Sequence, residues 1–341
     1  MRRGKLSSDF YTKTRKENGV VQVCVHTLPE LYKYQPVNEY SLSNFEHDEI
    51  WGTAPIAFND PYDCAVCYSQ SKLDEAIRNC LSPERERAYK ALFCMTRKDE
   101  LVKNLARSLV LQDLLKKQYV VSCFSVNNDS EIMWAHYADA AKGFCLAYEG
   151  KSLLEVARES FQSMIDNVDA LYPYKIILPQ VDDADSIMPV IYDDRKTNIT
   201  DQIIKVLPYG LRLIDAQLGV CPPDEMMDLY APDNLQELIN LSIENHHVYQ
   251  NMLCRKNKCW QYEQEWRIIA HNINIYTGNP NDNHMRIGNA PAKAVYIGER
   301  MPDYARRVVI DIARNKNIPV YEMRSVMRAH DFRLKAIEIS V

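Results

Sequence analysis

Tyr119-Val120-Val121-Ser122-Cys123-Phe124-Ser125, then Asn127-Asn128-Asp129-Ser130, then Gly143-Phe144-Cys145-Leu146-Ala147-Tyr148 is the stretch on which the fold class turns. The outer blocks are short, apolar and rich in β-branched or aromatic residues, which suits strands. Between them, Asn127 to Ser130 can cap a helix that runs to about Ala140, and Gly143 ends it. The unit is therefore strand, short helix, strand.

Working outward, residues 20–25 and 31–34 read as strands, the second closed by Pro36, and residues 49–53 as a brief strand ahead of Pro55. Residues 71–117 turn helical, with Leu101, Leu105, Ser108, Leu111 and Leu115 forming a stripe at spacings of three and four, which predicts a block of two or three helices. Downstream, residues 153–168 and 237–257 read as helices, 172–178 as extended and 180–235 as a mostly helical excursion. Strands at 263–270, 294–298, 319–321 and 334–339 and a helix at 303–315 complete the chain. The expectation is an α+β fold: one domain over residues 1–341 with a mixed, mainly antiparallel sheet core. That core spans about 31–180 and 237–340, with a helical insertion at about 181–236. No period of 20 to 50 residues repeats.

Bulk properties narrow the function classes. The 341 residues are 46% apolar and 26% charged with only 10 glycines, which is globular usage and excludes disordered or collagen-like chains. A net charge of -5 provides no broad basic footprint for nucleic acid. The longest strongly apolar runs are about eight residues, against the roughly 20 a membrane helix needs. No apolar segment follows Met1-Arg2-Arg3-Gly4-Lys5, so the expected location is cytoplasmic, with no membrane partner. Ten cysteines in that setting read as reduced thiols. A zinc site drawn from Cys64-x-x-Cys67, Cys254, Cys259, His246 and His247 would need pairs far apart in sequence and one spacing wider than a zinc knuckle, so no metal is expected.

Three places carry candidate chemistry. In a strand over 263–270, alternation would put Glu263, Glu265 and Arg267 on one face and Trp266, Ile268 and Ala270 on the other, in a core. Two carboxylates beside a guanidinium either form a salt-bridge ladder or raise one carboxyl pKa for acid–base work. His136, on the helix after Ser125, is a satisfied core histidine or a general acid–base group. The loop Phe58-Asn59-Asp60-Pro61-Tyr62-Asp63 turns the chain or binds a hydroxylated ligand. Glycine-rich phosphate loops and the common zinc-protease and hydrolase motifs are absent from the sequence.

Taken in order, Leu31-Tyr32-Lys33-Tyr34, Phe58 to Asp63, Ser122-Cys123-Phe124-Ser125, Met133-Trp134-Ala135-His136-Tyr137-Ala138 with Lys142-Gly143, and Trp260 with Tyr262 to Arg267 resemble the successive motifs of a bacterial family, domain of unknown function 2971. That family carries no reaction, so the resemblance implies site positions only. A more distant resemblance, to ADP-ribosyltransferases of the Arg-Ser-Glu type, rests on Lys33, Ser125 and Glu263-Gln264-Glu265 in that order. It implies NAD as a substrate and no covalently bound cofactor. It also implies that Glu265 bonds the ribose and stabilises an oxocarbenium-like transition state; Glu263, placed to orient an acceptor, and His136, an acid–base candidate on its own residue reading, complete the catalytic candidates. Lys33 stands where arginine is expected and cannot form the same two-pronged grip on a phosphate. With the motif positions taken together, the expected ligand-binding residues are Lys33, Tyr34, Asn59, Asp60, Asp63, Ser125, Trp134, Tyr137 and Arg267; the expected setting is defence or toxin biology, and a protein or nucleic-acid acceptor stays open. Two rivals remain: a hydrolase pairing His136 with Glu265, and a non-catalytic sensor or interaction module.

Overall fold

The computed structural model describes residues 10–15, 21–109, 116–171, 187–217, 248, 251–275, 282–326 and 334–339. Its strands in chain order are β1 (Tyr11–Arg15), β2 (Val21–Val25), β3 (Leu31–Gln35), β4 (Glu49–Thr53), β5 (Val66–Cys67), β6 (Tyr119–Ser125), β7 (Phe144–Tyr148) and β8 (Ile187–Pro189). They continue as β9 (Ile191–Tyr192), β10 (Thr197–Asn198), β11 (Arg255–Lys256), β12 (Glu265–His271), β13 (His284–Asn289), β14 (Ala294–Ile297), β15 (Val320–Ser325) and β16 (Leu334–Ile339).

Ten strands make one sheet in the order β13-β4-β6-β3-β7-β14-β15-β16, with β12 laid along β6 and β8 along β12. Every pairing in it is antiparallel except β14 with β15, which the helix Asp303–Asn315 connects. The α+β expectation therefore stands, with a mainly antiparallel mixed sheet. One face of β12 sends Trp266, Ile268 and Ala270 into the main core with Phe124, Leu146 and Val295. A second core lies among the helices Gln70–Cys80, Lys98–Leu109 and Thr200–Gln217, where Leu73, Leu101, Leu105 and Leu207 meet.

The helical block at 71–117 resolves into Gln70–Cys80, Pro83–Leu92 and Lys98–Leu109. Leu101 and Leu105 of its stripe are buried, whereas Leu111 and Leu115 lie outside the described residues, as does the extended stretch 172–178. Several expectations are corrected. The helix expected to reach Ala140 spans Glu131–Tyr137, because Asp139, Ala140 and Ala141 adopt successive left-handed conformations (φ 47, 53 and 63°) before Gly143. Gly143 sits so close to β3 that a Cβ would run into the Gln35 carbonyl. The excursion at 180–235 carries β8, β9 and β10 before its helix Thr200–Gln217. The helix expected over 237–257 is helical at 251–253 and has given way to β11 by Arg255. The hairpin partner β1, the capped helix Glu39–Glu46 and strand β13 were not expected at all. Among the described residues no helix is long and apolar enough to cross a membrane.

Candidate functional site

Strand β6 explains where a pocket can exist. One of its edges is paired with β12 along its whole length, from Glu265 against Ser125 to His271 against Tyr119. Its other edge is shared: Thr53 of β4 pairs with Val121, and Tyr32 of β3 pairs with Ser125. Between those two positions β3 and β4 part from each other, over roughly 13 Å of strand at about 3.4 Å per residue. A pocket of about 270 Å³ lies at this split. Tyr32, Tyr34, Trp51 and Phe58 give it aromatic walls, while Lys33, Asp63, Lys256, Glu263 and Glu265 supply its charges.

The charged floor is assembled from four segments. Alternation along β12 puts Glu265 and Arg267 on the face opposite Trp266 and Ile268. Glu263 arrives differently from expectation, because it is not in the strand. It ends a 3₁₀ helix, Lys258–Glu263, which Asn257 caps by accepting from the Cys259 amide, and Gln264 then takes a left-handed conformation (φ 44°) before β12 begins. Lys256 comes from β11, which pairs with β9. Asp63 ends the Asn-Asp-Pro loop, whose turn is held by the Asp60 carboxylate accepting from the Tyr62 amide at 2.9 Å.

These five groups are buried and mutually bonded. The Arg267 guanidinium, fully buried, donates to both Asp63 oxygens at 3.0 and 2.6 Å and to both Glu265 oxygens at 2.8 and 3.1 Å. The Lys256 ammonium lies 2.7 Å from Glu263, 3.4 Å from Glu265 and 3.4 Å from Asp63, and 4.8 Å above the Trp260 ring. Three carboxylates thus face two cations, and their environments differ. Burial opposes the charge on Glu265, but Arg267 and Lys256 outweigh it and hold the carboxyl far below its ordinary range. Glu263 has no guanidinium. Burial first, and then the neighbouring Glu265 charge, push it up to about 7 against the pull of Lys256. Burial and Glu263 raise the Tyr137 hydroxyl, which stays protonated and donates to Glu263 at 2.5 Å.

The other expected residues divide. Asn59, Tyr34, Ser125 and Tyr137 line the pocket. Ser125 is not free for a ligand, since its hydroxyl donates to the Glu263 carbonyl at 2.7 Å and accepts from the Asn127 amide. Lys33 donates to the Ser122 hydroxyl at 2.8 Å and the Cys123 carbonyl at 3.3 Å, inside the split. Trp134 is buried off the pocket, donating to the Asn128 carbonyl at 2.8 Å and meeting Tyr34 edge-on at 5.3 Å. His136 is exposed and bonded to the Tyr262 hydroxyl at 3.1 Å; no described bond joins it to Glu265. Asp60 serves its loop, and Arg267 lies beneath the pocket wall, tying the floor together. Cys64 is buried and Cys67 exposed, and among the described residues no group of three or more His, Cys, Asp or Glu is arranged to hold a metal ion. Lys256 and Trp51 were not singled out from the sequence, and Phe58 was read only as part of the Asn-Asp-Pro loop, although the run Arg255-Lys256-Asn257-Lys258 just ahead of two glutamates was a visible signal.

Fold and site together define an α+β protein with an aromatic-walled pocket over a buried carboxylate–cation cluster. Residues 133–268 match a family described as protein of unknown function (DUF2971), which supports the resemblance read from the motifs. The match takes in Tyr137, Lys256, Glu263, Glu265 and Arg267, whereas Lys33, Trp51 and Asp63 precede it. No curated protein and no solved structure matches the chain.

Proposed function

We propose that the pocket at the split is an acid–base active site in which Glu263 exchanges a proton with a small ligand while Glu265 is a fixed charge. One juxtaposition carries this reading: Glu263 and Glu265 both lie on the Lys256 ammonium, at 2.7 and 3.4 Å, and of these two only Glu265 is also held by the Arg267 guanidinium. Unlike environments drive the proton affinities of neighbouring carboxyls apart, which separates an acid–base role from an electrostatic one. Tyr137 holds Glu263 in place as a hydrogen-bond donor.

The order Lys33, Ser125, Glu263-Gln264-Glu265 makes transfer of ADP-ribose from NAD the reaction to test. The glycosidic C–N bond breaks and nicotinamide leaves with the bonding pair. An acceptor atom then bonds to the ribose carbon, and Glu263 takes the acceptor's proton. At about 270 Å³ the pocket falls at the small end of ligand sites and would hold one ring and its sugar rather than a whole dinucleotide. A non-catalytic sensor is the second reading, favoured by the way each charge in the cluster already has a partner in the chain.

The test is nicotinamide release from NAD by the parent, Glu263→Gln and Glu265→Gln, with and without cell lysate as acceptor, alongside thermal melts. Glu263→Gln is expected to lose a factor on the order of 100 or more in rate with little change in melting, the scale of one acid–base group. No release by the parent, or equal release by parent and Glu263→Gln, would remove the transferase reading and leave the sensor.

A further inference from the structure

We propose that Lys33 forms a reversible imine with a small aldehyde or ketone that enters the split between β3 and β4, an activity whose dehydration step rests on the proton exchange assigned to Glu263. The two lysines of this pocket are set in opposite ways. Lys256 lies within 3.4 Å of three carboxylates, which keep it a cation. Among the described residues Lys33 has neutral hydrogen-bond partners only, the Ser122 hydroxyl and the Cys123 carbonyl, and no ion pair. Its Nζ lies 4.8 Å from the centre of the Phe124 ring, another residue of the pocket wall. Burial lowers its pKa, with only partial opposition from Cys123 and Glu265. A desolvated amine beside an apolar wall is the arrangement that makes lysine nucleophilic toward carbonyl carbon.

The rest of the step has its groups in the same pocket. The Lys33 nitrogen bonds to the carbonyl carbon, and its proton moves to the carbonyl oxygen to give a carbinolamine. Protonated Glu263 then gives its proton to that hydroxyl, water leaves and an iminium remains. Loss of the iminium proton back to Glu263 restores the acid and completes the imine. Hydrolysis runs the same sequence in reverse, so no oxidant or reductant is consumed. The aromatic walls, Tyr32, Tyr34, Trp51 and Phe58, favour a flat, unsaturated body on the carbonyl compound.

Reductive trapping tests this. The full chain is incubated near neutral pH with benzaldehyde, and separately with glycolaldehyde, in the presence of cyanoborohydride, and early time points are mapped by peptide mass spectrometry. Lys33 should be modified about tenfold or more faster than the exposed Lys72 and Lys151 by at least one probe, as a free amine outcompetes solvated ammonium groups. Lys33→Arg keeps a hydrogen-bond donor but cannot form the imine. It should leave labelling of Lys72 and Lys151 unchanged, and its melting temperature reports that the pocket is intact. Modification of Lys33 no faster than the two exposed lysines, with both probes, would overturn the proposal.

Discussion

Replacing Arg267 by methionine should be far more damaging than replacing Glu263 by glutamine, although both side chains are buried in the same cluster. With all groups ionised, Asp63, Glu263 and Glu265 face Lys256 and Arg267, three negative charges against two positive. Arg267→Met leaves three carboxylates on one ammonium and also removes four hydrogen bonds to carboxylate oxygens. Leaving a buried charge without its partner typically costs about 3–5 kcal/mol. At about 2.1 cal/mol/K per residue, 341 residues have an unfolding entropy near 0.7 kcal/mol/K, so a chain that melts as one unit should lose about 4–7 °C. Glu263→Gln instead leaves two carboxylates against two cations, and its amide can still bond Tyr137 and Lys256 through the carbonyl. It should melt within about 1–2 °C of the parent near pH 8, inside the range of well-tolerated substitutions. Differential scanning calorimetry of the two variants and the parent in one buffer makes the comparison. If Arg267→Met melts with the parent, or Glu263→Gln falls as far as Arg267→Met, the charge balance does not govern this cluster.

Two further outcomes follow from the same geometry. The Glu263 carboxyl titrates near 7 in the fold against about 4.5 when unfolded, so between those values the native state holds the extra proton. Its contribution is full below about pH 4.5 and is lost as pH rises through 7, so melts of Glu263→Gln should show a flatter pH dependence than the parent over about pH 5–7. Thiol titration of the denatured chain purified without reductant should find all ten cysteines, and elemental analysis should find no stoichiometric zinc; fewer free thiols or bound zinc would refute the reduced-thiol reading.

Much of the sheet was readable in the sequence because its central strands are short continuous apolar runs: β6 and β7 fall where Tyr119–Ser125 and Phe144–Tyr148 place them. Strand β13 was harder. Met285 and Ile287 alternate inward between exposed His284 and Arg286, but Gly288 and a register shift interrupt the run after four residues. The placing of Glu263 failed for a local reason. Strand periodicity was extended across Gln264, and a left-handed non-glycine residue leaves no mark in sequence. The proximity of Glu263 to Glu265 survived, since both still reach Lys256, but it arises from a 3₁₀ turn rather than from a shared strand face. Asp63 and Arg267 were each visible as candidates. Their bond joins positions 204 residues apart, a pairing that only the folded chain makes evident. Lys256 was hidden by reading helix through to residue 257, where the chain had already become extended.

The split along β6 separates the origins of shape and charge. Trp51, Thr53, Ala57 and Phe58, from β4 and the turn after it, form one bank of the pocket, whereas Lys256, Glu263 and Glu265 come from β11, the 3₁₀ turn and β12. Because β4 reaches β6 through a single residue pair here, the bank at 51–58 is joined to the charged floor by little backbone bonding. Substitution of Trp51 should therefore change the shape of the pocket while Lys256, Glu263 and Glu265 keep their partners, whereas Phe58, whose ring lies 5.5 Å from the Arg267 guanidinium, ties the two sides together.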